Sequence, residues 1–145
     1  MISQVHQDSA SNRESRKANR GNAMHFTDLD VWQVAHSLTL NIYKWTKDFP
    51  NEEKFGLVSQ MRRAAVSIES NIAEGFGRLH KKEKQQFYYT SRGSCFELET
   101  QILICKDTNL ISSEQADEGK NLCERVRQML NAMIRSNKSS AIRDS

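Results

Sequence analysis

From about residue 26 to residue 136 the apolar side chains recur at intervals of three and four, and the chain's single proline, Pro50, leaves long segments unbroken on either side. That spacing is the one-face pattern of α-helices, and no segment alternates with the period of two that a half-buried strand requires. The sequence therefore predicts an all-α fold.

Four helices follow from the pattern. The first is capped by Asp28 or Asp30 and carries Val31, Val34, Ala35, Leu38, Ile42 and Trp45 inward, up to the break at Asp48-Phe49-Pro50-Asn51. The second opens with Asn51 as cap, has Glu52 and Glu53 in a first turn where carboxylates favour the positive end of the helix dipole, and closes at Gly75, with Gly75-Phe76-Gly77 as a turn. The third runs from about His80 to Lys106 and is ended by Asp107-Thr108-Asn109; the fourth begins at Ser112 or Ser113 and carries Leu122, Cys123, Val126, Leu130 and Met133 inward. Helices of roughly 20 to 27 residues are ~30 to 40 Å long, and loops this short force neighbours to run antiparallel. The expectation is an antiparallel up-down-up-down four-helix bundle, a single domain over residues 26–137.

Outside those bounds the chain is polar. Residues 1–25 are rich in Ser, Asn, Arg and Gln and hold too little apolar surface to offset the entropy of ordering, so they are expected to form a disordered tail, with translation starting at Met24. Residues 138–145 are expected to be a frayed C-terminus.

With 37% hydrophobic and 27% charged residues, the balance is that of one globular domain. Cys95, Cys105 and Cys123 form no CxxC pair, are odd in number, and fall on apolar helical positions; reduced core thiols suit a cytoplasmic location. No apolar stretch approaches the length needed to cross a bilayer, so no membrane partner is expected. None of the four histidines sits in a Glu-x-x-His motif, no short Cys/His spacing suggests zinc, and neither GxxxxGK[ST] nor GxSxG occurs. No enzyme activity, metal, cofactor or small-molecule substrate is expected.

Two features do point outward. On a helical wheel at about 100° per residue, Phe55, Val66 and Ala73 lie roughly 120° from the second helix's core face, while Tyr89, Phe96 and Leu103 repeat at heptad spacing roughly 100° from that of the third. One four-helix core cannot bury both stripes, which predicts a homo-oligomer interface. The second feature is charge. Arg62, Arg63, Arg78, Lys81, Lys82, Lys84 and Arg92 oppose only Glu69, Glu74 and Glu83 in their segment, a local +4 against +3 for the whole chain. A basic cluster on a turn and a helix N-terminus attracts phosphate, which makes RNA the candidate partner, and a protein-interaction scaffold with no nucleic-acid ligand is the alternative.

The chain also carries a run of specific motifs: Leu29-Asp30-Val31-Trp32-Gln33, Phe49-Pro50, Phe55-Gly56-Leu57, Arg63-Ala64-Ala65-Val66-Ser67-Ile68, Ser70-Asn71-Ile72-Ala73-Glu74-Gly75-Phe76-Gly77-Arg78, and Arg92-Gly93-Ser94 with Glu97-Leu98-Glu99. Together these resemble the four-helix bundle family of proteins encoded in intervening sequences of bacterial 23S ribosomal RNA genes. Glu69 stands where that family usually has proline, which should straighten the second helix. The resemblance implies a bundle assembling into a homopentameric ring without established enzymatic activity. More distantly, the chain is similar to the accessory variability proteins of diversity-generating retroelements, whose basic barrels bind nucleic acid. The motif polar residues Asn71, Glu74, Arg92, Ser94 and Glu97 are expected to bond one another or helix ends where the second and third helices meet. Gly75 and Gly77 mark the turn, and mid-helix Gly93, worth ~1 kcal/mol less than alanine, suggests a close helix approach.

Overall fold

The computed structural model describes residues 25–143. The tail expected over residues 1–25 and the start at Met24 lie, apart from His25, outside the described residues. Helix α1 spans Asp30–Thr46, α2 Ser59–Phe76, α3 Lys81–Asp107 and α4 Ser113–Arg143. No strand occurs among the described residues.

Hydrogen bonds between helices fix the topology. Along α1 and α2 the residue numbers run in opposite senses: the Arg62 Nε donates to Thr46 Oγ1 at 3.1 Å, Thr39 Oγ1 donates to the Ala65 carbonyl at 3.2 Å, and His36 meets Glu69 at 2.9 Å. The same inversion ties α2 to α3 through Ser91 and the Ile68 carbonyl, and α3 to α4 through Gln85 and the Ile134 carbonyl. Asn41 reaches Glu118 and closes α4 back on α1. All neighbours are antiparallel, in the expected up-down-up-down bundle.

The core is one apolar stripe from each helix, including Leu38, Ile42, Met61, Ile68, Ile72, Leu98, Ile102, Val126 and Leu130, all fully buried. Two glycines set how closely the helices approach. A Cβ on Gly75 would meet the Tyr88 ring at 2.6 Å, and one on Gly119 would meet Ile102 Cδ1 at 2.9 Å and Trp45 at 3.1 Å. The three thiols are buried among these side chains, and burial pushes Cys95 up to about 12, Cys105 up to about 11 and Cys123 higher still.

Helix ends differ from the sequence pattern in three places. His25 caps a short 3-10 turn over Phe26–Asp28, with the Asp28 carboxylate accepting back from the His25 backbone at 3.2 Å, while Leu29 stands at the head of α1 without a side-chain cap. Pro50, rather than Asn51, precedes the next turn: a 3-10 turn over Asn51–Glu53 and a widened π turn over Lys54–Val58 come before regular α2 begins at Ser59. Gly56 lies within that widened turn, where its weak helix preference leaves the hydrogen-bond spacing free to change. At the far end α4 continues as helix to Arg143, beyond residue 137 where its apolar spacing stops.

The other ends follow the sequence closely. Asn109 adopts φ 61°, with Leu110 N bonding the Cys105 carbonyl and Asn109 N the Lys106 carbonyl, a Schellman closure of α3. Ser112 and Gln115 then form a reciprocal capping box at the head of α4. With Glu69 in place of proline, α2 runs without interruption.

Candidate functional site

The densest motif, residues 67–78, is mostly packing machinery. Asn71 Nδ2 donates to the Ser67 carbonyl at 2.8 Å, and Ser67 Oγ meets Ser94 Oγ across the α2–α3 seam at 2.9 Å. Arg63 holds Gln60 on its own helix and the Glu97 carboxylate on α3. Asn71, Ser94 and Glu97 thus bond where α2 meets α3. Glu74 and Arg92 do not join that seam: Glu74 pairs with Arg78 at 3.1 Å, and Arg92 donates to Asn131 on α4 at 2.9 Å.

Gly77 bonds back to the Ala73 carbonyl at the end of α2, and Lys84 finishes the cap. Its ammonium donates to the Gly75 and Phe76 carbonyls, each at 3.0 Å, and burial holds it below its ordinary value. Lys84 therefore serves the helix end rather than solvent.

The seven cations singled out in the sequence do not form one patch. Arg62 stacks over the Tyr43 ring at 4.5 Å and Arg63 pairs with Glu97, both toward the head of α2. Arg78 lies sixteen residues further on, roughly 24 Å along the axis. It is exposed at the α2–α3 turn, with its guanidinium 4.9 Å from the Phe87 ring, and Lys81 and Lys82 follow in the first turn of α3.

At that same end the structure adds cations that the local sequence window could not supply. Asn137 donates to the Lys81 carbonyl at 2.8 Å, which fixes the last turns of α4, with exposed Arg135 and Lys138, beside the start of α3. Lys138 and Arg92 both sit over the Tyr89 ring, at 5.9 and 5.1 Å. Arg135 and Lys138 are some fifty positions from Lys81, and only antiparallel pairing of the third and fourth helices points to them.

The second apolar stripe is exposed. Phe55 is 88% and Phe96 52% accessible, Val66, Tyr89 and Leu103 lie on the surface, and Ala73 is half-buried. Arg127, paired with Glu99 at 3.1 Å, lies 4.7 Å from the Phe96 ring. Gly93 stands within this stripe. A Cβ built on it meets nothing within 4 Å, so the close helix approach expected of it does not occur within the chain.

Among the described residues no three His, Cys, Asp or Glu side chains gather as a metal site, and no helix is long and apolar enough to cross a membrane.

The family described as 23S rRNA-intervening sequence protein matches residues 27–132. Among solved structures, a protein of unknown function from the S23 ribosomal protein family of Bacteroides thetaiotaomicron has the same fold, with a TM-score of 0.67 at 22% identity over 72% of this chain and 95% of that one. No curated protein matches.

Proposed function

The chain belongs to the 23S rRNA-intervening sequence protein family, and from that premise we propose that it is a self-associating binding protein, not an enzyme, with RNA held on the basic end of the bundle. The observation that carries the reading is the placement of the last turns of α4, with exposed Arg135 and Lys138, beside the start of α3, where Lys81 and Lys82 follow Arg78. The head of α3 adds backbone N–H groups and a helix dipole of the same sign, with no side-chain cap to satisfy them. Contacts of this kind hold phosphates and read no bases.

Gel mobility with structured RNA at low salt tests it. A shift is expected, and it should be lost when Arg78, Lys81 and Lys82 are neutralised together. Each phosphate neutralised adds ~0.7 to 0.9 to the log-log salt slope. An unchanged mobility would favour the second reading, a protein-interaction scaffold without nucleic acid. In favour of that reading, the Arg78–Glu74 pair and the inward turn of Lys84 reduce the charge offered to a ligand.

Self-association uses the outer face of α2 and α3, where an exposed apolar strip of this length is a liability for a lone chain. The five-membered ring that the family resemblance implies is one closed form of it. A Phe96→Glu variant is expected to sediment as a smaller species than the parent.

A further inference from the structure

Phe26 is an aromatic residue that the core does not use. It stands in the 3-10 turn ahead of α1, where the His25 cap and a 2.9 Å bond from Gln33 Nε2 to the Thr27 carbonyl fix the backbone. Its ring meets the Trp32 ring edge-on at 5.4 Å. Trp32 in turn stacks nearly flat on His36 at 4.7 Å, and His36 is anchored to Glu69 on α2. A surface ring held in this way is already ordered, so a ligand that stacks on it has little side-chain freedom left to freeze.

The turn lies against the last turns of α2, and between them is an open cleft of about 440 Å³ lined by Phe26, Ser70, Ala73, Glu74, Gly77 and Arg78. That volume falls in the range of small-molecule sites. Only Ala73 among these residues belongs to the apolar strip assigned to self-association. Arg78 belongs to the cleft and also to the cationic collar that it forms with Lys81 and Lys82 beside the end of α4.

We propose that this cleft takes one unpaired base of the bound RNA, stacked on Phe26, with the adjoining phosphate on Arg78. The inference rests on the RNA reading above and specifies which kind of RNA the collar selects.

Continuity and charge support it. A strand whose phosphates follow Arg78, Lys81 and Lys82 carries its neighbouring base to the mouth of the cleft. Inside a duplex both faces of a base are covered by the next pairs, so only a base in a loop, bulge or free end can lie on the Phe26 ring. The Glu74 carboxylate would repel a bare phosphate, but Arg78 pairs with it at 3.1 Å, and it can accept an N–H from the Watson–Crick edge that pairing would otherwise hide. Every base carries such an N–H and a π face. The cleft therefore selects unpaired nucleotides without selecting sequence.

Fluorescence anisotropy of the full chain at low salt tests the cleft with two RNAs: a blunt, fully paired duplex, and the same duplex with a short bulge in one strand. The parent is expected to bind the bulged RNA roughly ten-fold more tightly, the effect of one stacked base. Phe26→Leu keeps apolar bulk against Trp32 but offers no ring face, and it should bind both RNAs as the parent binds the paired one. Phe26→Trp should keep the preference. Equal affinity of the parent for the two RNAs, a preference that survives Phe26→Leu, or one lost as fully in Phe26→Trp as in Phe26→Leu would overturn the base cleft while the RNA reading stands. Binding to neither RNA would overturn both.

Discussion

Gly75 and Gly93 carry the same side chain, a single hydrogen, for opposite reasons. At Gly75 an added methyl would drive into the buried Tyr88 ring, so Gly75→Ala is expected to lower stability by ~1 to 3 kcal/mol in chemical denaturation. At Gly93 the space is open, and in dilute solution Gly93→Ala should raise stability by ~0.5 to 1 kcal/mol through helix propensity. Equal effects at the two sites would contradict the packing described. The buried thiols give a pH signature. Each is held above the ordinary value of 9.0, so the unfolded chain loses its thiol protons first. Their contribution is complete below pH 9.0 and falls as pH rises, toward about 11 for Cys105 and about 12 for Cys95. The urea midpoint should therefore drop between pH 8 and pH 10 in the parent, and drop less in a variant with all three cysteines replaced by alanine.

At the scale of the elements, the ends of helices separate what could be read in the sequence from what could not. Ser112 with Gln115 and Asn109 with its left-handed backbone are local signals, written within four residues of the ends they make. The entry to α2 is different: Asn51 and the two following glutamates spell a good helix start, yet Pro50 and Gly56 lead the chain through a 3-10 and then a π turn. Ser112→Ala should accordingly cost ~1 kcal/mol in thermal or chemical melts, while Asn51→Ala should cost far less, because no side-chain cap is lost there. The core stripes and the exposed stripe were legible because helical periodicity alone sets them. The charged collar was legible only in part. Arg78, Lys81 and Lys82 are neighbours in sequence, but Arg135 and Lys138 lie on α4, whose last turns tertiary pairing sets beside α3; Lys84 turns to the carbonyls at the end of α2, and the rise of α2 alone puts Arg62 and Arg63 at its other end.

At the scale of the whole molecule, an apolar seam along α2 and α3 adjoins a cationic collar where the α2–α3 turn meets the last turns of α4, with Lys138 lying over Tyr89 of the seam. The proposed function assigns the first to another copy of the chain and the second to phosphate. Because electrostatic attraction falls off over a Debye length of about 10 Å at 0.1 M salt, cations roughly 24 Å away on α2 should contribute little to a ligand held at the collar. Fluorescence anisotropy of a labelled structured RNA, titrated at several salt concentrations, can compare two variants that differ only in where charge is removed. With Arg78, Arg135 and Lys138 changed to glutamine, the proposed function predicts at least ten-fold weaker binding and a salt slope lower by roughly 2 to 3. With Arg62 and Arg63 changed to glutamine, affinity and slope should stay close to those of the parent. Equal losses in the two variants, or binding that survives the first and fails in the second, would contradict RNA recognition at this end of the bundle.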